Sequence, residues 1–362
     1  MMLNRVTVHS VGRANPAAAL VLAQALPMSR EHVARCVYQA PAVLLGNLSE
    51  EQARTLCQLL KPTGLEVGVD CMDAPLQPGG PDYEVAVHLT DVSRFREVAA
   101  TLAAFVGCPL PRAVEMLCAS PAVVLGQVSL STVQALAGRL APLDAQVDAS
   151  RVAEARYDLF IDDGQADLRT RLQRTLAGFD VPSQPEGPLL ASGLDREVAQ
   201  ALWQRHSGQG AAWRLLDQAM QRFDLWLEAP ALEPAAVQAI VLATGMPRHL
   251  VDRINAQLPF LLVDAVPGAQ ARETLLALHQ AGVQASARLV TLARFDLSLQ
   301  SVTNAREAAQ VLAQVGGVKE DQAAQALLRT PSRLQAALTL ARARWLQHEL
   351  AAVGCRAELE PR

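Results

Sequence analysis

The chain has 362 residues, 51% hydrophobic and 19% charged, with a net charge of −4 at pH 7 and a pI near 6.0. That composition is globular and excludes a disordered chain. It also excludes the basic field that grips a nucleic-acid backbone, so no nucleic-acid partner is expected.

The first element is the alternating strand RVTVHSV near Arg5. The apolar run Ala17 to Leu26 that follows is too short to span a bilayer and reads as a helix, so no membrane insertion is expected. A second helix leads to Pro41. Ser49 starts a third, Gly64 ends it, and LEVGV follows as a strand. The segment Met72 to Asp82, with DAPLQPGGPD, reads as a linker about which the first module swings.

The second module repeats the order. YEVAVHL begins it at Tyr83, and helices are predicted over Arg94 to Val106 and Arg112 to Ala119. A short strand Val123 to Leu125, a helix Ser129 to Leu140 and a strand Ala145 to Asp148 complete it. Pro142 and Leu143 stand near the place of the closing glycine. Leu102, Val106, Leu117 and Leu136 are its predicted core.

The third module starts with YDLFIDD at Tyr157 but has no matching proline. Gly178 to Gly193 reads as a Pro/Gly-rich insertion, followed by helices Asp195 to Arg205 and Ala211 to Arg222. Its final strand is either missing or shared with FDLWLEA at Phe223. That strand more naturally opens a fourth module, because EPAAVQAIVLATG after it parallels NPAAALVLAQALP in the first. FDLSLQS at Phe295 opens a fifth, with Leu312, Leu327 and Leu350 as its expected core.

Four prolines set the register: Pro41, Pro121, Pro259 and Pro331. A helix starter follows each at a fixed distance (Ser49, Ser129, Pro267, Thr339), and Gly64, Gly282 and Gly354 follow three of them. The predicted fold is therefore α+β: about five tandem β-α-α-β-α-β modules, each a three-stranded antiparallel sheet covered by three helices. The boundaries fall at 1–71, 83–150, 156–222, 223–290 and 294–362.

The fifth module carries Phe295-Asp296-Leu297, Gly317-Val318, Ala323, Pro331 and Gly354 leading to Glu358 and Leu359. This pattern resembles the C-terminal domain of the bacterial ribosomal stalk protein, the L-seven/L-twelve family, and the fold resembles ClpS-type peptide adaptors. The family recruits translation factors through a lysine-bearing helix face. The matching positions here are Ala34, Val114, Asp252 and Ala324, none of them basic. The resemblance thus implies a shared fold with a different task.

No catalytic constellation is visible. The seven histidines give no i, i+4 pair and no HExxH, and His9 and His88 fall at nearly equivalent strand positions. Asp162-Asp163-Gly164 with Asp167 reads as a polar turn, and Gly208-Gln209-Gly210 lacks the context of a phosphate loop. No metal, no cofactor and no enzymatic activity are expected. Six cysteines without a CxxC pair point to buried thiols in a reduced, cytoplasmic protein, and the Ala/Leu/Arg excess to a high-GC bacterial genome.

What remains is a set of partner-binding candidates. A cation recurs near the start of helix two at Arg30, Arg112, Arg248 and Lys319, and Trp203, Trp213 and Trp226 cluster in the middle of the chain. Trp345 reads with them as either an anchor or inter-module packing. The expected function is a multivalent protein-binding or scaffolding protein within a bacterial assembly. An adaptor linked to translation factors or proteolysis, and an enzyme with an inter-module cleft, are the alternatives.

Overall fold

The computed structural model describes residues 3–14 and 28–362. Among them are five three-stranded antiparallel sheets, each with the same strand order: middle, first, last. The first strand of every module is therefore the central one. It is flanked by strands that each return over a helix, as the alternating and 3.6-periodic segments require.

The first module comprises β1 (Asn4–Ser10), α1 (Arg30–Tyr38), β2 (Ala42–Leu48), α2 (Glu50–Leu60) and β3 (Glu66–Cys71). The helix expected over Ala17 to Leu26 lies outside the described residues. Ser49 caps α2 in a capping box with Gln52. The second module runs β4 (Tyr83–Leu89), α3 (Phe95–Val106), α4 (Leu110–Leu117), β5 (Val123–Val128), α5 (Leu130–Leu140) and β6 (Ala145–Arg151). Leu102, Leu117 and Leu136 are buried, but on α3 it is Phe105, not Val106, that enters the core. The left-handed residue before β6 is Asp144, at φ 54°, which fills the place held elsewhere by Gly64, Gly282 and Gly354. A short polar side chain tolerates that conformation.

The third module departs from the expected pattern. It runs β7 (Tyr157–Ile161), α6 (Ala166–Ala177), β8 (Leu189–Leu194), α7 (Arg196–His206) and β9 (Trp213–Asp217). It has two helices rather than three, and the supposed insertion 178–193 supplies most of its middle strand. Ala211 to Arg222 is not a helix. Residues 213–217 pair with β7 from Trp213↔Ile161 to Tyr157↔Asp217, burying Trp213 and Leu216, and this pairing overrides the local helical pattern. The module owns its last strand and does not share the one at 223–228.

That next strand, β10 (Arg222–Leu227), opens the fourth module, followed by α8 (Pro234–Thr244), α9 (Arg248–Ile254), β11 (Phe260–Pro267), α10 (Gly268–Gln280) and β12 (Ala285–Leu289). The fifth module is β13 (Phe295–Val302), α11 (Ala305–Gln314), α12 (Glu320–Leu328), β14 (Ser332–Leu338), α13 (Leu340–Ala352) and β15 (Cys355–Pro361), with Leu312, Leu327 and Leu350 buried.

The chain divides into two compact units. Residues 1–151 and 294–362 form one, so the first, second and fifth modules belong together; residues 152–293 form the other. The order of modules in sequence is not their order in packing.

A backbone feature repeats in all five sheets. The first and middle strands slip register near the start of the first strand, once in the fifth module and twice in succession in the others, and the middle-strand residue opposite the first slip has positive φ: Asn47, Gln127, Gly193, Ala265 and Ala337. It is a bulge that bends each middle strand into the helix after it.

Candidate interaction surfaces

Within the larger unit the modules meet through one interface used twice. The carbonyl of Tyr38, the last residue of α1, accepts the Ser129 amide at 3.0 Å and the Thr132 hydroxyl at 2.8 Å, both at the start of α5. The Tyr38 hydroxyl donates to Phe105 O at 2.7 Å, its ring packs edgewise on Phe105, and Ser131 donates to Ala40 O. Further along α5, Arg139 stacks on Phe105 and donates to the carbonyls of Gly12 and Ala14 at 2.8 and 2.7 Å.

The same parts join the second module to the fifth. Cys118, three residues before Pro121 as Tyr38 is before Pro41, offers its carbonyl to the Thr339 hydroxyl at 2.7 Å. Phe95 stacks on Trp345 with centroids 4.0 Å apart, and Arg96 grips Glu349 through two nitrogens at 2.9 and 3.1 Å. Burial pushes the Cys118 thiol up, partly offset by the Arg342 guanidinium, and so keeps it protonated and unreactive. In each case the end of helix two of one module seats on helix three of the next. Trp345 is thus inter-module packing.

The four cations lie at the start of helix two, all exposed. Arg30 and Arg248 are each the first residue of their helix and equally spaced from the following proline. Arg112 lies two residues later in register, about 200° further round the helix, and pairs with Glu115 at 3.1 Å. Lys319 is the N-cap residue of α12, one position earlier than Arg30 and Arg248. Arg30, Arg112 and Lys319 belong to the larger unit and Arg248 to the smaller.

The tryptophans differ from one another. Trp213 is buried, donates Nε1–H to His206 O and lies in the core of the third module. Trp203 is exposed, 5.8 Å from Trp213. Trp226, half-buried on β10, carries the Arg288 guanidinium over its ring at 4.6 Å. Asp162 faces Arg214 at 3.1 Å, which makes its turn an ion-paired corner.

Sequence reasoning missed the surface on the fourth module. Helix α8 is apolar around most of its circumference, yet only Ala236, Val237 and Ile240 are buried. Leu242 is 77% exposed and Leu232, just before the helix, 78%. At Leu232 a shallow hollow of about 560 Å³ is lined also by Pro234, Val237, Arg248, His249 and Asp252. The absence of charge from PAAVQAIVLAT was the available signal.

No single helix among the described residues is long and apolar enough to cross a membrane, and no group of three or more His, Cys, Asp or Glu there could hold a metal ion. The chain matches no protein-family model, no curated protein and no solved structure.

Proposed function

We propose that the chain is a non-enzymatic, multivalent protein-binding scaffold built of ribosomal-stalk-like modules. The observation that carries this reading is the uncovered face of the fourth module. Surface helices normally turn an apolar stripe inward and polar residues outward; here Leu232 and Leu242 are both exposed, and Leu232 lies beside Arg248 and His249. An apolar patch rimmed by charge is the usual form of a protein-docking surface. The cation next to it favours a partner helix with acidic flanks, each exposed ion pair contributing about 0.2–1 kcal/mol. Exposed cations at Arg30 and Lys319 extend the same preference to other modules, where effective concentration adds what single contacts lack. The test is affinity capture from the source cells with wild-type and Leu242→Glu/Arg248→Glu baits, quantified side by side, with Leu276→Glu as an exposed control on α10. A partner enriched by the wild type and control but lost from the double variant supports the reading. Identical captures from all three baits reject it.

A further inference from the structure

The interface that joins the first module to the second, and the second to the fifth, is heterologous. One module contributes the end of helix two and the next contributes helix three. Used twice in the same sense within the larger unit, it leaves one plug and one socket of that unit over. The spare plug is on the fifth module. Leu328 stands three residues before Pro331, where Tyr38 and Cys118 stand in the docked plugs, and is 84% exposed. Cys118, its seated counterpart, is buried.

The spare socket is on the first module. Leu59 of α2 matches Arg139 and Glu349 in distance from the module's proline, and both of those reach across to the preceding module. Leu59 is instead 69% exposed. Thr132 donates across the first junction and Arg342 bonds to Cys118 across the second, but the matching Gln52 turns back to accept from the Ser49 amide of its own helix.

We propose that the spare plug takes the spare socket of a second copy of this chain, Leu328 of one molecule seating at the start of α2 of the next beside Ser49 and Gln52, and Leu59 of that α2 meeting the front of the same neighbouring module as Arg139 and Glu349 do, so that the protein self-associates head to tail. The occupant is argued from continuity: the larger unit already stacks its modules by this contact, and the two loose ends are a plug and a socket of that same kind, each offering a leucine. A heterologous contact whose rotation does not close generates open chains rather than a closed dimer. The inference goes beyond the scaffold reading and stands without it, because neither end includes the fourth module.

The experiment is sedimentation velocity on the full chain across a concentration series. Leu328→Glu removes the plug and Leu59→Glu the socket; both sites are exposed, so folding should be unchanged within about 0.5 kcal/mol, checked by thermal unfolding. The wild type is expected to grow past dimer with concentration, and each variant alone to stay monomeric. Their equimolar mixture should stop at dimer, because each contributes one intact end. A wild type that stays monomeric to about 1 mM, the weak limit of measurable association, overturns the proposal. So does a wild-type dimer that grows no further, a variant that associates as the wild type does, or a mixture that stays monomeric.

Discussion

Asp296 Oδ1 accepts the backbone N–H of Ala336 at 3.1 Å and of Ala337 at 3.2 Å, and Ala337 sits at φ 47°. The second residue of the central strand thus clamps the bulge of its neighbour. Asp224 does the same for Ala265 N at 2.8 Å, and Asp158 for Gly193 N at 3.0 Å. This gives a physical reason for the aromatic-Asp pair that opens the third, fourth and fifth modules: the aromatic packs and the Asp satisfies a bulge. Asp296→Ala removes a buried, charged acceptor from the N–H groups of half-buried Ala336 and exposed Ala337, and urea unfolding should show a loss of about 1.5–3 kcal/mol, the range for hydrogen bonds to a charged group. An unchanged midpoint would mean that the bulge holds itself.

The bulge residue itself should respond in the opposite direction. Ala337 occupies the left-handed region, which costs an ordinary residue about 1–2 kcal/mol. Ala337→Gly relieves that cost and adds some unfolded-state entropy. The expected net is a gain of up to about 1 kcal/mol, read from the same urea curves. A clear loss of stability would show that the methyl contributes packing at this corner.

Acid stability should depend on these carboxylates. Burial pushes the Asp158 carboxyl up, but hydrogen bonds from Gln221, Ser192, Gln218 and the Gly193 amide outweigh it and hold the group below the ordinary range. Asp296 is likewise lowered, burial being outweighed by the amides of Ala337 and Ala336 and by Arg333. A depressed folded value adds stability above the unfolded value, near 3.9, and that stability is lost as pH falls through the folded value. Asp158→Asn should therefore be less stable than wild type at pH 7, with the gap narrowing as the pH is lowered below about 4. Parallel stability curves would contradict the assignment.

Much of this fold was legible because periodicity, helix starters and left-handed glycines recur at fixed distances from four prolines. Ser129 and Thr339 fall where α5 and α13 begin, and Gly107 and Gly245 end their helices at φ 76° and 67°. The third module was misread because its signals are tertiary. Nothing local says that Trp213–Asp217 pairs with β7, or that Leu189–Leu194 rather than a proline-led segment is the middle strand. The stacking of the second module on the fifth was invisible for the same reason: Phe95 and Trp345 are 250 residues apart, and nothing local pairs the two rings. Of the candidate surfaces, the cations were legible as charges, whereas nothing local marks Leu328 or Leu59, whose positions take meaning only from their docked counterparts in the other modules.

The junction between the second and fifth modules should be separately measurable. Trp345, stacked on Phe95 and donating Nε1–H to Glu349 at 3.0 Å, is buried at that junction. Trp345→Ala should cost about 3–5 kcal/mol. A double-mutant cycle with Phe95→Leu should return a coupling of about 0.5–1.5 kcal/mol, the range for an aromatic pair beyond its area burial. Additive effects would mean that the rings fill space without specific coupling.

The linker Met72 to Asp82, expected from composition to let the first module swing, is tied down at two points. Arg5 donates to the carbonyl of Ala74 at 2.7 Å, and Gly79 N donates to Pro41 O at 2.7 Å. Gly79 lies so close to Gln39 and Ala40 that a Cβ would overlap both carbonyl oxygens, and neither is a flexible side chain that can step aside. Gly79→Ala must therefore lift the segment and break its hydrogen bond, worth about 0.5–1.5 kcal/mol. Cleavage of an opened segment tracks the population of the open form when opening and reclosing are fast. Limited proteolysis between residues 72 and 82 should accelerate by up to about tenfold, since 1.4 kcal/mol is a factor of ten in an equilibrium. Gly126→Ala, where a Cβ meets nothing within 4 Å, is the control and should leave the pattern unchanged. Equal cleavage of the wild type and Gly79→Ala would show that this linker is already open in solution, as its prolines and glycines alone suggested.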